Sequence, residues 1–125
     1  RLMRWPHTNL CTDGSLVASH PRGFGAYPRF FGRYVRERML MDLPTAVHKA
    51  SGLAAAHMGF ADRGAIRPGM KADLVLFDPE TVLDRATPEQ PEALSVGIER
   101  VWVNGQVVFQ GGMTTGARPG QVILW

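Results

Sequence analysis

The side chains best suited to chemistry lie close together near the start of this 125-residue chain. Asp13 follows a short apolar stretch and precedes Gly14, and His20 and Arg22 follow in a His-Pro-Arg triplet. A carboxylate can accept and return a proton, and a guanidinium fork can bind a carboxylate through two parallel hydrogen bonds. Taken alone, however, Asp-Gly is typical of a turn and a loop arginine is usually solvated. These residues by themselves are compatible both with a catalytic site and with an ordinary turn and solvated loop.

The elements that would position them are predicted to be one strand, one loop and several helices. Residues 8–12 predict a short buried strand that ends at Asp13, and the glycine- and proline-containing stretch 15–26 predicts a loop. A helix is expected from near Pro28, because proline is tolerated at the first helical position and Phe31, Tyr34 and Val35 follow at helical spacing. The chemistry would therefore lie between the end of a strand and a helix.

Two further helices are predicted before about residue 64, where helical periodicity gives way to β-rich stretches separated by glycine and proline. One follows Leu43, with Pro44 at its start. The other is capped by Ser51 and ended by Gly59.

The second half of the chain predicts β structure. A buried strand is expected over residues 73–77, a hairpin around Asn104-Gly105, and a last strand over 120–125, with a surface loop at 80–97. Four short strands make an open sheet whose edges need another segment or another copy of the chain. A partner in the same protein, or a homo-oligomer, is expected to complete it.

Composition narrows the class of protein. With 45% hydrophobic and 20% charged residues, the chain is expected to fold, and its net charge of +3 is a small surplus. Glu37 interrupts the arginine cluster of the first helix, which predicts a solvated helix face and no nucleic-acid partner; the four members are Arg29, Arg33, Arg36 and Arg38. No apolar run is long enough to span a bilayer, so no membrane partner is expected.

The cysteine and the other histidines are weaker candidates for functional residues. Cys11 is the only cysteine, which excludes an internal disulfide and a self-contained cysteine zinc site, and favours a cytoplasmic location. On a strand, Cys11 would share a side with Asp13, and it is interpreted as a packing residue. His7 is expected at the surface. His48 and His57 lie in predicted helices without a metal-ligand partner four residues on, so both are interpreted as ordinary packed or exposed residues.

The order of motifs resembles one enzyme family. The segments are TDG, HPRGFGAYPRFFGRYVRER, RGAIRPGMKADLVLFD, VNGQVV and GARPGQVILW. Together they resemble the C-terminal part of the N-acyl-D-amino-acid deacylases, the D-aminoacylase branch of the metal-dependent amidohydrolase superfamily. RGAIRPGMKADLVLFD is similar to many members of that superfamily, whereas the His-Pro-Arg element with its following Tyr-Pro-Arg is typical of the D-amino-acid deacylases.

The resemblance implies a fold and a division of the chain. It implies an α+β piece of a longer protein, in which residues 1–63 form the last strand, substrate loop and helices of a TIM-like (β/α)8 barrel. Residues 64–125 would form the C-terminal strands of a small β-sandwich. The upstream barrel and the N-terminal sandwich segment of the same protein would be its partners.

The resemblance also implies the chemistry. A zinc-activated water would attack the amide of an N-acyl-D-amino acid, and Asp13, at the end of the last barrel strand, would be the catalytic carboxylate and a possible metal ligand. Arg22, His20 and Gly14 would be the substrate-binding residues, with Arg22 holding the α-carboxylate. His20 would either shape the loop, the favoured role, or contact the substrate. The remaining zinc ligands would lie upstream, so the 125 residues alone are expected to be inactive.

Two alternatives stay open. The parent protein could be a cyclic-amide hydrolase such as a dihydroorotase or hydantoinase. Alternatively, the chain could be a stand-alone binding domain that uses its open sheet or its arginine helix.

Overall fold

The computed structural model describes residues 1–14 and 20–123. In these ranges the chain is an α+β unit with helices first and an antiparallel sheet second. After a 3₁₀ turn at Leu2–Arg4, the helical elements are α1 (Arg22–Arg29), a π-helical segment (Phe30–Glu37), α2 (Leu43–Ala50) and α3 (Gly52–His57). The strands follow: β1 (Leu74–Phe77), β2 (Ile98–Val103), β3 (Gln106–Gln110) and β4 (Met113–Thr114). None of the described helices is long and apolar enough to cross a membrane.

A small apolar core lies between the π-helical segment and α2. Phe30, Val35 and Ala46 are buried there. Partly buried apolar side chains from the N-terminal segment and the helices pack against them, namely Met3, Leu10, Phe31, Tyr34 and Met41. The core therefore ties the segment that leads to Asp13 to the helices.

Helix α1 begins six residues earlier than the sequence predicts. Arg22 is its first residue, and Pro28 lies inside it instead of at its start. Proline lacks the N–H that would bond back to Phe24, and the Phe24 carbonyl instead accepts a hydrogen bond from Ser95 at 3.4 Å. Just after Pro28 the helix widens into the π-helical segment, whose last turn closes with an Arg38 N–H to Arg33 carbonyl bond.

Helices α2 and α3 begin and end close to the predicted residues, but Ser51 does not cap α3, because its hydroxyl donates to the Val47 carbonyl at 2.6 Å. Helix α2 begins at Leu43 with Pro44 in its first turn, and Asp42 caps it by accepting the Thr45 N–H at 2.8 Å. Hydrogen bonds from Thr45, first its side chain and then its backbone, hold the pKa of Asp42 below its ordinary value. The cap is therefore present at neutral pH and is lost as the pH falls through that lowered pKa. Gly59, with φ +74°, follows the end of α3 as expected.

The sheet has the strand order β1-β2-β3-β4 with every neighbour antiparallel. Asn104 and Gly105 join β2 to β3 with φ values of +46° and +79°, which confirms the predicted type I′ hairpin. Asp73 supports this turn, because its carboxylate accepts the Asn104 N–H at 2.8 Å and pairs with Arg63 at the same distance.

In the second half of the chain, the structure corrects the position of the last strand and the burial of the first. No strand covers 120–123, and residues 124–125 lie outside the described range. The last strand among the described residues is instead β4, because Gly111 and Gly112, both at positive φ, turn the chain back onto β3 at once. The strand predicted as buried forms at Leu74–Phe77, yet Val75 and Leu76 are 55% and 47% exposed. Strand β1 pairs only with β2 among the described residues, so it is an apolar edge.

The region predicted as a surface loop, 80–97, is partly buried against the helices. Val82 and Ala86 are 1% and 3% exposed, and a Cβ placed on Gly32 would lie 2.5 Å from the Val82 carbonyl oxygen. An isolated β-bridge pairs Leu83 with Val96. The absence of a side chain at Gly32 therefore lets the π-helical segment approach this loop closely.

The arginine cluster is only partly the solvated face that the sequence predicts. Arg33 and Arg38 are exposed. Arg29, however, pairs with the largely buried carboxylate of Asp84 at 2.7 Å, and Arg36 donates to two loop carbonyls at 3.0 and 2.9 Å. These two side chains attach the helix to the loop of the second half of the chain.

The strand predicted over residues 8–12 does not form a β-ladder in the structure. Its backbone is held by side chains instead. The ammonium of Lys49, 4% exposed, donates to the carbonyl oxygens of Trp5 at 2.5 Å and Thr8 at 2.9 Å, and the Tyr27 hydroxyl donates to the Leu10 carbonyl at 3.0 Å. A strand needs a neighbouring backbone, and none of the described segments offers one here.

We expect Lys49→Met to loosen the segment that leads to Asp13. The substitution keeps much of the side-chain volume but removes the charge-assisted donors, leaving the Trp5 and Thr8 carbonyls without that partner. The local free energy of opening should fall by about 1–3 kcal/mol. Hydrogen exchange of the amides in residues 5–10 of the full-length protein measures it. Lys71→Met, the same change at an exposed position, is the control, and equal exchange in both variants would contradict the assignment.

Candidate functional site

Asp13 occupies a sharp backbone bend. Its φ of +48° lies in the left-handed region, which aspartate tolerates better than most residues. The Asp13 N–H is 3.3 Å from the sulfur of Cys11, and the Gly14 N–H donates to the Thr12 hydroxyl at 3.1 Å. The bend turns the carboxylate toward the start of α1 and leaves its side chain 77% exposed.

The structure brings together the two side chains that the sequence singles out most strongly. Arg22, predicted in a loop, is the first residue of α1, and its Nη2 lies 2.5 Å from Oδ2 of Asp13. Both side chains are more than half exposed, so the ion pair contributes little to stability by itself. Its importance is geometric, because it places a carboxylate and a guanidinium on one accessible surface.

His20 lies beside this pair but does not contact either charged group in the described hydrogen bonds. Its Nδ1 accepts the backbone N–H of Arg22 at 3.1 Å. The first N–H groups of a helix have no partner within the helix, and an acceptor at this position satisfies one of them. His20 therefore acts on the backbone from which the Arg22 side chain extends.

Gly14 allows the Asp13 bend to approach the helix. A Cβ on Gly14 would lie 3.1 Å from the Thr12 hydroxyl oxygen and 3.5 Å from the Cα of Gly23. Two glycines thus face each other where the segment meets the first turn of α1. This close approach keeps Asp13 within reach of Arg22.

Cys11 and Tyr27 both make contacts in the segment that leads to Asp13. Cys11 is exposed, contrary to its interpretation as a packing residue, because the strand that would have buried it does not form here. Burial, and then the nearby Cys11 thiol, raise the pKa of Tyr27. The phenol therefore stays protonated at neutral pH and keeps its hydrogen bond to the Leu10 carbonyl.

None of the described hydrogen bonds, ion pairs or ring contacts joins the other histidines to Asp13 or Arg22. His7 is exposed, as predicted, with its ring 5.3 Å from that of Trp5. His48 is exposed on α2, and exposed His57 on α3 contacts the Asn9 side chain at 3.2 Å.

The described residues do not form a metal centre on their own. Within 1–14 and 20–123, no three His, Cys, Asp or Glu side chains are grouped so that they could hold a metal ion. Asp13 is available as a single carboxylate, already paired with Arg22. A zinc site would need donors that these residues do not supply.

Sequence reasoning missed the residues that support the site. Lys49 and Tyr27 hold the segment before Asp13, and Arg29 and Arg36 anchor the helix that carries Arg22. Only Lys49 had a usable signal in the sequence, because it lies three residues after the apolar Ala46, a spacing that places both on one face of a helix.

Comparisons with known proteins agree on one family. The amidohydrolase family model matches residues 5–109. An N-acyl-D-aspartate deacylase and a D-aminoacylase, both from Alcaligenes xylosoxydans xylosoxydans, are 46% and 48% identical over 98% of this chain. The match covers 25% and 26% of those proteins, so the chain spans about a quarter of their length.

A solved structure extends the similarity to the fold. It is an N-acyl-D-glutamate deacylase from Bordetella bronchiseptica, complexed with zinc and a phosphonate that mimics the tetrahedral intermediate. The TM-score is 0.76 and the identity 51%, over 82% of this chain and 22% of that one. The resemblance inferred from the motifs is confirmed. The chain belongs to the amidohydrolase family and is similar, over nearly its whole length, to the family's N-acyl-D-amino-acid deacylases.

Proposed function

We propose that this chain is the C-terminal part of a zinc-dependent hydrolase that deacylates N-acyl-D-amino acids. The observation that carries the proposal is the exposed pair of Asp13 and Arg22, in a chain 46–48% identical to deacylases of such substrates. Together the two side chains offer a proton acceptor and a binding group for a carboxylate. A substrate whose α-carbon carries both an amide nitrogen and a carboxylate can use both groups.

In this proposal Asp13 transfers the proton. Zinc, when bound, lowers the pKa of a water molecule toward neutrality. Asp13 takes a proton from the attacking water and delivers it to the amide nitrogen as the carbon–nitrogen bond breaks. The products are a carboxylic acid and a free D-amino acid. Because the described residues lack a metal site, the zinc ligands belong to other parts of the protein, and Asp13 could add at most one.

Arg22 binds the substrate in this proposal. A guanidinium has five N–H donors in a planar fork, so it can bind a carboxylate through two of them without leaving Asp13 entirely. Gly14 brings the backbone close to the same surface, and His20 lies next to it. These residues would define the carboxylate end of the substrate site.

The wider architecture is part of the same proposal. Residues 1–63 would complete a TIM-like barrel, with 8–12 pairing there as its last strand, and 64–125 would supply strands of a β-sandwich. The exposed apolar edge at Val75 and Leu76 supports this, since such an edge needs a covering segment. A homo-oligomer is the other way to cover it. A cytoplasmic location is proposed from the free thiol of Cys11.

The test is an assay of the purified full-length protein with the two enantiomers of an N-acetyl amino acid. We expect release of the D-amino acid only, loss of the activity after chelation and its return with zinc. The 125-residue chain alone is the negative control and should be inactive. Hydrolysis of a cyclic amide in preference to the linear substrate would favour a dihydroorotase-like or hydantoinase-like enzyme instead.

A further inference from the structure

The start of α1 depends on an imidazole. Pro21 precedes Arg22, and His20 reaches past it so that Nδ1 accepts the Arg22 N–H at 3.1 Å. The His20 carbonyl also accepts the Gly23 N–H at 3.2 Å, so one residue satisfies two of the first N–H groups of the helix. Serine, asparagine and aspartate usually have this role at helix starts.

This contact matters because of what the first helical residue carries. The direction of the Arg22 side chain follows from its backbone dihedral angles, and those are set by the first turn of α1. The Phe24 and Gly25 N–H groups donate to the Pro21 carbonyl at 3.3 and 2.9 Å, but neither bond involves the Arg22 N–H, and Gly23 and Gly25 are poor helix formers. Without the His20 bond, the turn can fray and the guanidinium can move away from Asp13.

We propose that His20 is a positioning residue that orients Arg22 toward the carboxylate of the substrate, and that it does not itself contact the substrate. This inference rests on the proposed role of Arg22. It requires the tautomer in which Nδ1 is an acceptor and the proton is on Nε2. The relevant property of His20 is thus an acceptor atom bonded to Cγ.

Three substitutions in the full-length enzyme separate positioning from other roles. Asparagine places its Oδ1 where histidine has Nδ1, glutamine places its acceptor one bond further away, and alanine has none. With N-acetyl-D-aspartate as substrate, we expect His20→Ala and His20→Gln to raise KM by between about 2-fold and 10-fold with kcat little changed. His20→Asn should restore KM to near the wild-type value.

Several results would overturn the inference. An asparagine variant as defective as alanine would mean that the acceptor atom is not what matters. A loss in kcat without a change in KM would mean that His20 acts at the reacting atoms. His20→Ala should also add no further effect to Arg22→Ala, and an additive loss would show that His20 acts independently of Arg22.

A separate readout keeps this inference distinguishable from the proposed function. Hydrogen exchange at the Arg22 amide should accelerate in His20→Ala and His20→Gln but not in His20→Asn, whatever the substrate. If Arg22→Ala leaves KM unchanged, Arg22 does not bind the substrate carboxylate. His20 then cannot aid substrate binding by orienting Arg22. If Arg22→Ala raises KM while the His20 variants neither raise KM nor alter amide exchange, only the positioning role fails.

Discussion

Asp13→Asn in the full-length protein is expected to lower kcat for N-acetyl-D-aspartate by about 10²- to 10⁴-fold, the usual contribution of a positioned general acid–base group. Asparagine has nearly the same shape as aspartate but cannot take a proton from water or return it to the leaving amine. The loss should therefore fall on kcat, because the proton moves only in the transition state.

Asparagine is also the substitution that the backbone tolerates. Asp13 has a φ of +48°, and asparagine adopts the left-handed region about as readily as aspartate. Alanine there would strain the bend as well as remove the carboxylate, so its effect would be ambiguous. An unchanged melting temperature in Asp13→Asn would confirm that the fold is intact.

A matched control exists within the chain. Asp62 is an exposed aspartate that pairs with Arg63 at 3.1 Å, so Asp62→Asn makes the same charge change in the same kind of ion pair. We expect wild-type kcat for this variant. If Asp13→Asn and Asp62→Asn had equal activities, Asp13 would be an ordinary turn residue, and the proposed mechanism would be wrong.

Arg22→Ala should reduce kcat/KM for N-acyl-D-amino acids by between about 30-fold and 1000-fold. This range corresponds to the 2–4 kcal/mol expected when one partner of a desolvated, hydrogen-bonded charge pair is removed. Most of the loss should appear as a higher KM, because the α-carboxylate is bound equally in the ground state and the transition state. Arg33→Ala, at an exposed position in the π-helical segment, is the control and should leave KM unchanged.

A substrate without the carboxylate separates the two roles of Arg22. In the wild-type structure its Nη2 contacts Asp13, so the alanine variant also changes the surroundings of that carboxylate. With the neutral α-amide of the same N-acyl-D-amino acid, any loss due to Asp13 remains, but the loss due to carboxylate binding disappears. If Arg22→Ala impaired both substrates equally, Arg22 would act through Asp13 alone, and another residue would bind the carboxylate.

Local signals were reliable where a few neighbouring residues determine the outcome. Asn104-Gly105 predicted the hairpin, because few other dipeptides adopt two successive positive φ values at low cost. Pro44 marked the first turn of α2, and Gly59 followed the end of α3 for similarly local reasons. The same signals misplaced the start of α1. Proline is favoured at a first helical turn, but Pro28 is tolerated inside α1, where Ser95 bonds to the carbonyl it leaves unpaired.

The sequence by itself determined the family, through the order of its motifs, and the candidate residues Asp13, Arg22, His20 and Gly14. Only the tertiary structure decided that Asp13 and Arg22 form an ion pair and that buried Lys49 holds the segment before Asp13. The physical reason is distance along the chain. Propensity and periodicity describe interactions within a few residues, whereas the contact of Lys49 with Thr8 joins residues 41 positions apart and exists only once the helices have packed.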